Sequence, residues 1–272
     1  MTITAAMMVA EIVAGLLTNS LALLSDAGHM LTHLLALGVS YLAIWLANRE
    51  ADPSRTYGWY RVEILAALFN AVTLAAFSVG IGVEAMTRFG APPPVDTGPM
   101  IWVAIAGLVV NLVTAFILHG ASRHDLNVRS AFLHLLGDTA SSVVVVGGGA
   151  LMYYTGWFVV DPILSVLVAL VIALWSVGLL RESVHVLMEA APRHLGVEDV
   201  EAAIRECAPE VHAVTDLHIW EITSQMYALS AHLELSDAAE LGQGPSLVAR
   251  VGCMLDERYR IGHATLQLDV AD

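Results

Sequence analysis

The chain contains no lysine: its twelve basic residues are all arginine, and only 14% of its 272 residues are charged. Acids outnumber arginines by 26 to 12, for a formal net charge of −14. That balance argues against nucleic acid and anionic lipid headgroups as partners and suits a cation. Cysteine is scarce as well. Cys207 and Cys253 lie far apart and form no CxxC pair, which argues against a disulfide framework and a thiolate zinc site. There is no HExxH and no evident serine or cysteine nucleophile. No repeat or low-complexity segment stands out. Apolar side chains, in contrast, make up 57% of the residues. That composition belongs to a polytopic membrane protein.

Apolar runs cover residues 2–19, 22–47, 61–88, 99–119, 130–153 and 159–186. All but the first reach the ~20 helical residues needed to cross a ~30 Å hydrocarbon core. The first is short, begins almost at Met1 and has no signal-peptide n-region before it, so a shortened start is expected. Six crossings put both termini on one side. The loops at 48–61 and 119–130 hold Arg49, Arg55, Arg61, Arg123 and Arg129, whereas the opposite loops hold only Arg88. The positive-inside rule then places both termini in the cytoplasm, with a bacterial inner (plasma) membrane as the expected location.

Charge and pattern change near residue 188. Residues 1–186 carry 11 acids and 7 arginines, whereas residues 187–272 carry 15 acids and 5 arginines. In the tail, GVEDVEAAIRECAPE and GPSLVARVGCMLDERY have helical periodicity; AVTDLHIWEIT, MYALSAHLEL and HATLQLDV alternate as half-buried strands do. The reading is an α-helical membrane protein with six transmembrane helices (residues 1–188). A small cytosolic α+β domain of order α-β-β-α-β follows (residues 189–272), its two helices on one face of a sheet.

Polar residues inside the apolar runs carry the chemistry. In LLSDAGHMLTH, His29 and His33 are four apart and stack on one helix face, with Asp26 three before His29 near the start of that face. In HLLGD, His134 and Asp138 repeat the spacing. A charged group at the bilayer centre costs ~2.5–3.5 kcal/mol even on a lenient scale, so two such pairs point to a shared purpose. Three imidazoles and a carboxylate from two facing helices suit a tetrahedral site for Zn²⁺ or a neighbouring first-row ion.

SLALLSDAGHMLTH and HLLGDTASSVVVV, with RTYGWYRVEILAALFN, DPILSVLVALVI and VTDLHIWEIT, resemble the cation diffusion facilitator family across nearly the whole chain. The resemblance implies a homodimeric six-helix transporter that exports divalent metal, commonly zinc, in exchange for protons. It implies that His29, His33, His134 and Asp138 hold the transported ion, and that the tail has a metallochaperone-like fold. The position of His33 is aspartate in common zinc-type members. Histidine there favours late first-row ions and gives cobalt and nickel more weight beside zinc and cadmium. His232 and His263, with Asp269 at the end, match positions that resemble a regulatory Zn²⁺ site in the tail; Asp26 is assigned to the ion's path. An intramembrane metalloenzyme and a haem-binding electron carrier are the rival readings of the same histidines. Glu11, Glu63, Glu84 and Asn70 are further polar groups in apolar segments, without assigned chemistry.

Overall fold

The computed structural model describes residues 2–47, 54–121, 126–236, 242 and 244–270. Within its helices it describes most but not all side chains, and those of His33 and His134 lie outside the described residues. Six long helices come first: α1 (Thr2–Thr18), α2 (Leu21–Ala47), α3 (Arg61–Gly90), α4 (Thr97–Ala121), α5 (Leu126–Thr155) and α6 (Val160–Leu187). Among the described residues, four stretches are long and apolar enough to span a membrane: Arg61–Gly90, Thr97–Ile117, Leu135–Thr155 and Val160–Leu187. Their outward faces are apolar too, including Trp102, Phe116 and Leu174. A helix apolar all round belongs in lipid. The architecture is the expected one: an α-helical membrane protein with a small α+β domain at its end.

The chain forms two compact units, Met1–Val39 with Phe69–Leu179, and Ser40–Leu68 with Leu180–Asp272. The second unit therefore takes in more than the acidic tail. Glu63, in the first turn of α3, accepts hydrogen bonds from Thr223 Oγ1 and, at 2.8 Å, from Ser224 Oγ. Arg61 pairs with Glu189 at 2.8 Å.

In the first unit, Ala22 and Leu23 of α2 pack with Met100 and Ala104 of α4, Val145 and Met152 of α5, and Leu164 of α6. Glycine permits close approach at Gly28, where a Cβ would lie 1.9 Å from the Phe77 ring. The start of α2 is built with particular completeness. A helix leaves its first four N–H groups unpaired, and lipid offers them no water. Here Leu21 N and Ala22 N donate to the Asp161 carboxylate at 2.8 and 3.2 Å, and Leu23 N donates to Ser20 Oγ at 3.2 Å. Leu24 N reaches the Ser20 carbonyl at 3.4 Å, and Ser20 Oγ itself donates to Asp161 at 2.7 Å. A residue at the start of α6 thus caps α2.

The tail begins with α7 (Val197–Cys207), β1 (Val211–Thr223) and β2 (Met226–Leu235), and ends with α8 (Gly244–Tyr259) and β3 (His263–Val270). The sheet order is β1-β2-β3, with β1 antiparallel and β3 parallel to β2. The two-residue period sorts β2: Leu229, Ala231, Leu233 and Leu235 are buried, while Ser230, His232 and Glu234 alternate with them. Val200 and Ile204 of α7, with Leu247, Val251 and Leu255 of α8, cover the buried face. Both helices lie on one side of the sheet, as the sequence pattern predicts.

Candidate metal site

His29 on α2 and Asp138 on α5 meet inside the first unit. His29 Nε2 lies 3.0 Å from Asp138 Oδ1, and their side chains are only 8% and 16% exposed. A carboxylate has no proton to give, so the imidazole N–H donates. The neighbours fix both groups. Thr32 Oγ1 donates to the His29 carbonyl at 2.6 Å, and the His29 ring lies tilted against the Trp175 ring, centroids 5.4 Å apart. Ser142 Oγ donates to the Asp138 carbonyl at 3.0 Å and accepts from Asn111 Nδ2 of α4 at 3.2 Å. Asp26 is buried one turn before His29, and its Oδ1 accepts from Ser141 Oγ of α5 at 3.3 Å. An apolar crevice of about 340 Å³, bordered by His29, Ser141, Val171 and Trp175, adjoins the pair.

Two of the four expected intramembrane ligands are thus brought together, one from each i, i+4 pair. The other two, His33 and His134, have side chains outside the described residues. Among the described residues, no three His, Cys, Asp or Glu side chains converge on one point. The His29–Asp138 hydrogen bond has a chemical consequence. A metal ion bound at Nε2 needs that nitrogen's lone pair, so it takes the place of this hydrogen bond.

In the tail, His232 and Asp269 meet, His232 Nδ1 donating to Asp269 Oδ2 at 2.9 Å. Two residues without an assigned role extend the contact. Asp216 Oδ1 lies 2.9 Å from His218 Nε2, and its Oδ2 lies 3.9 Å from His232 Nε2. The four groups form a line, His218–Asp216–His232–Asp269, rather than a cage. His263 stands apart from it. The parallel register pairs His232 with Gln267 and Ala228 with His263. His263 is therefore four residues, or ~13 Å, along the strand from the line, and its ring packs edge-on to Tyr57 at 5.8 Å between centroids. Asp216 carried a sequence signal in VTDLHIW, two residues before a histidine, but the bulge in β1 between Thr215 and His218 that aims it at His232 is tertiary.

Among the tail's titratable groups, the Arg250 guanidinium holds the Glu210 carboxyl below its usual range. The hydrogen bond to Glu257 raises the Cys253 thiol, and burial raises the Tyr227 hydroxyl. A cavity of about 640 Å³ in the second unit is bordered by Arg55, Tyr57, Arg61, Glu189, His218 and Trp220.

Residues 1–188 match the family described as the cation efflux transmembrane domain, and residues 192–271 match the cation efflux protein cytoplasmic domain. The zinc transporter ZitB of Pectobacterium atrosepticum is 40% identical over 98% of this chain and 82% of its own. The cadmium, cobalt and zinc/H(+)-K(+) antiporter of Bacillus subtilis is 38% identical over 96% of this chain and 84% of its own. The metal cation efflux system protein CzcD of Cupriavidus metallidurans is 38% identical over 99% and 84%. The solved metal-bound C-terminal domain of a CzcD transporter is 29% identical over 28% of this chain and 99% of that one, with a TM-score of 0.25. On the two family matches and the near full-length relatives, the chain belongs to the cation efflux, or cation diffusion facilitator, family of membrane transporters.

Proposed function

We propose that the protein exports divalent metal ions, zinc first and cobalt, nickel or cadmium after it, in exchange for protons. Transport proceeds by alternating access around His29, His33, His134 and Asp138. The observation that carries the reading is the buried hydrogen bond between His29 and Asp138, made across α2 and α5. It supplies half of a three-nitrogen, one-oxygen donor set. Metal binding needs imidazoles with a free lone pair and an ionised carboxyl, so metal and protons compete for these ligands and reprotonation releases the metal. Asp26, one turn before His29, draws the cation toward the site. The names of the relatives fit this substrate class: zinc for one, cadmium, cobalt and zinc with H(+) and K(+) for another. Membership of a transporter family sets aside the enzyme and haem readings.

The wider arrangement follows from the same reading. Residues 1–188 form the transport domain and residues 189–272 a cytosolic domain, with both termini cytoplasmic. The family description of the tail's match fits a homodimer. A regulatory Zn²⁺ binds in the tail at His232 and Asp269, with Asp216 and His218 beside them. Their imidazoles and carboxylates are of the donor types that zinc accepts, and they lie in a line that binding would have to gather around the ion.

The test is reconstitution into proteoliposomes with Zn²⁺, Co²⁺, Ni²⁺, Cd²⁺ and Mn²⁺ under an imposed pH gradient. The expected result is flux of zinc and its first-row neighbours that a gradient accelerates and a proton-conducting uncoupler returns to the gradient-free rate. Flux indifferent to the gradient refutes the antiport.

A further inference from the structure

We infer that Glu11 is a proton-binding site of the transporter, separate from the metal ligands, and that it carries a proton in the exchange. Glu11 sits in α1 and is 2% exposed. Among the described residues its Oε2 has no hydrogen-bond partner. Asp161, another deeply buried acid in this unit, is treated differently: it takes hydrogen bonds from Ser20 and from two backbone N–H groups and caps a helix. Asp161 is a structural carboxylate whose charge is met by donors. Among the described residues Glu11 has no such construction on Oε2.

The space around Glu11 is shaped for a carboxyl group. Gly107 of α4 faces it, and a Cβ there would lie 2.7 Å from Glu11 Oε1 and 3.5 Å from the Met7 methyl. The charged and titratable surroundings are sparse. From α2, Asp26 acts on Glu11 electrostatically. From α4, residues 97–117 contribute no titratable side chain. A buried acid under the influence of a second acid, with a bare oxygen and no cation paired to it among the described residues, has one ligand that satisfies it with no further donor: a proton. Two carboxylates alone make a poor divalent site, since zinc takes four ligands and the hard cations six or more.

The placement links this proton to transport. Asp26, whose charge acts on Glu11, accepts from Ser141, and Ser141 lies three residues after Asp138 on α5. A series of polar groups thus runs from α1 through Asp26 to the metal site. The exchange balances without any co-reactant. A divalent ion at the site favours the ionised form of Glu11, so loading breaks its O–H bond and passes the proton to water, and release of the metal lets the carboxylate take a proton from water again; no bond other than O–H forms or breaks.

The inference rests on the antiport reading, and the experiment separates the two. Full-length wild type, Glu11→Gln, Glu11→Asp and Gly107→Ala are reconstituted in proteoliposomes. Zinc flux and lumenal pH are followed together, with and without an imposed pH gradient, in potassium, sodium and choline media. The expected result is that Glu11→Gln retains zinc-for-zinc exchange, loses at least tenfold of its acceleration by the pH gradient, and moves fewer protons per zinc. Glu11→Asp keeps the coupling, and Gly107→Ala, which crowds the carboxyl without removing it, weakens it. A wild type with no proton coupling defeats the antiport reading and this inference with it. A coupled wild type with an equally coupled Glu11→Gln overturns the inference alone, as does a Glu11-dependent flux that vanishes in choline, which would make the site one for an alkali cation. Should Glu11→Gln lose exchange as well, infrared difference spectra of wild type and Glu11→Asp decide. A protonated-carboxyl carbonyl band that responds to zinc and shifts between the two supports the inference; a band identical in both, or none, overturns it.

Discussion

Replacing Asp161 tests the logic by which α2 is held. Asp161 is 1% exposed, and its carboxylate takes three donors: Ser20 Oγ, Leu21 N and Ala22 N. In Asp161→Ala the serine hydroxyl can turn to another acceptor, but the two backbone N–H groups cannot turn and have no water to replace the carboxylate. Each buried donor left unpaired costs ~1–3 kcal/mol, so the pair costs about 2–6 kcal/mol. Asp161→Asn keeps an oxygen at the Oδ1 position, which serves Ser20 and Ala22. It puts an amide N–H against Leu21 N, orphaning one donor at ~1–3 kcal/mol. For a unit of this size ~1 kcal/mol moves Tm by ~2–4 °C. The alanine variant should therefore melt about 4–24 °C below wild type and the asparagine variant about 2–12 °C below it. Tryptophan fluorescence during heating of the purified protein in detergent measures this. Zinc flux should fall in the same order, because His29 rides on the helix whose start has been loosened. An alanine variant melting within ~2 °C of wild type would refute the reasoning, since the backbone donors would have found other partners.

Further outcomes follow from the two sites. Alanine at His29, His134 or Asp138 should abolish zinc flux in liposomes, because a four-ligand site loses a donor. His33→Asp should still carry zinc but rank nickel and cobalt lower, since a harder oxygen replaces a nitrogen; an unchanged ranking of the five metals across pH would show that His33 is not a ligand. In the tail, His232→Ala with Asp269→Asn should weaken zinc binding measured by calorimetry on the full-length protein while leaving transport in place. His263→Ala should leave that affinity as it is, because the register holds it ~13 Å away. Cys253 should alkylate slowly with iodoacetamide at neutral pH. Its hydrogen bond to Glu257 raises the thiol's pKa, which lowers the reactive thiolate fraction; Glu257→Gln lowers the pKa and should speed the reaction. Equal rates would contradict the assignment of that contact.

The order and kind of the elements were legible in the sequence because they depend on local pattern. Runs of ~20 apolar residues have one stable form in lipid, and the alternation in MYALSAHLEL puts Leu229, Ala231 and Leu233 on one face whatever covers them. The polar pairs drew attention for a related reason: spacing along a helix fixes which side chains share a face, and their cost in lipid marks them out; of the four residues, the structure joins His29 to Asp138. Spacing within one helix does not say which residue of another helix it meets. That His29 is the residue bonded to Asp138 depends on how α2 and α5 cross. That Asp161 caps α2 depends on a contact spanning about half the chain, and neither residue shows it alone. In the tail the sequence supplied His232, His263 and Asp269 as one group. The parallel pairing of β2 with β3 divided them, joining His232 to Asp269 and drawing in Asp216 and His218 through a bulge in β1. Glu11 was visible only as a polar residue in an apolar run. A bare carboxyl oxygen is a property of everything packed around it, so only the folded structure could separate Glu11 from Asp161, which in sequence is another acid beside a hydrophobic stretch.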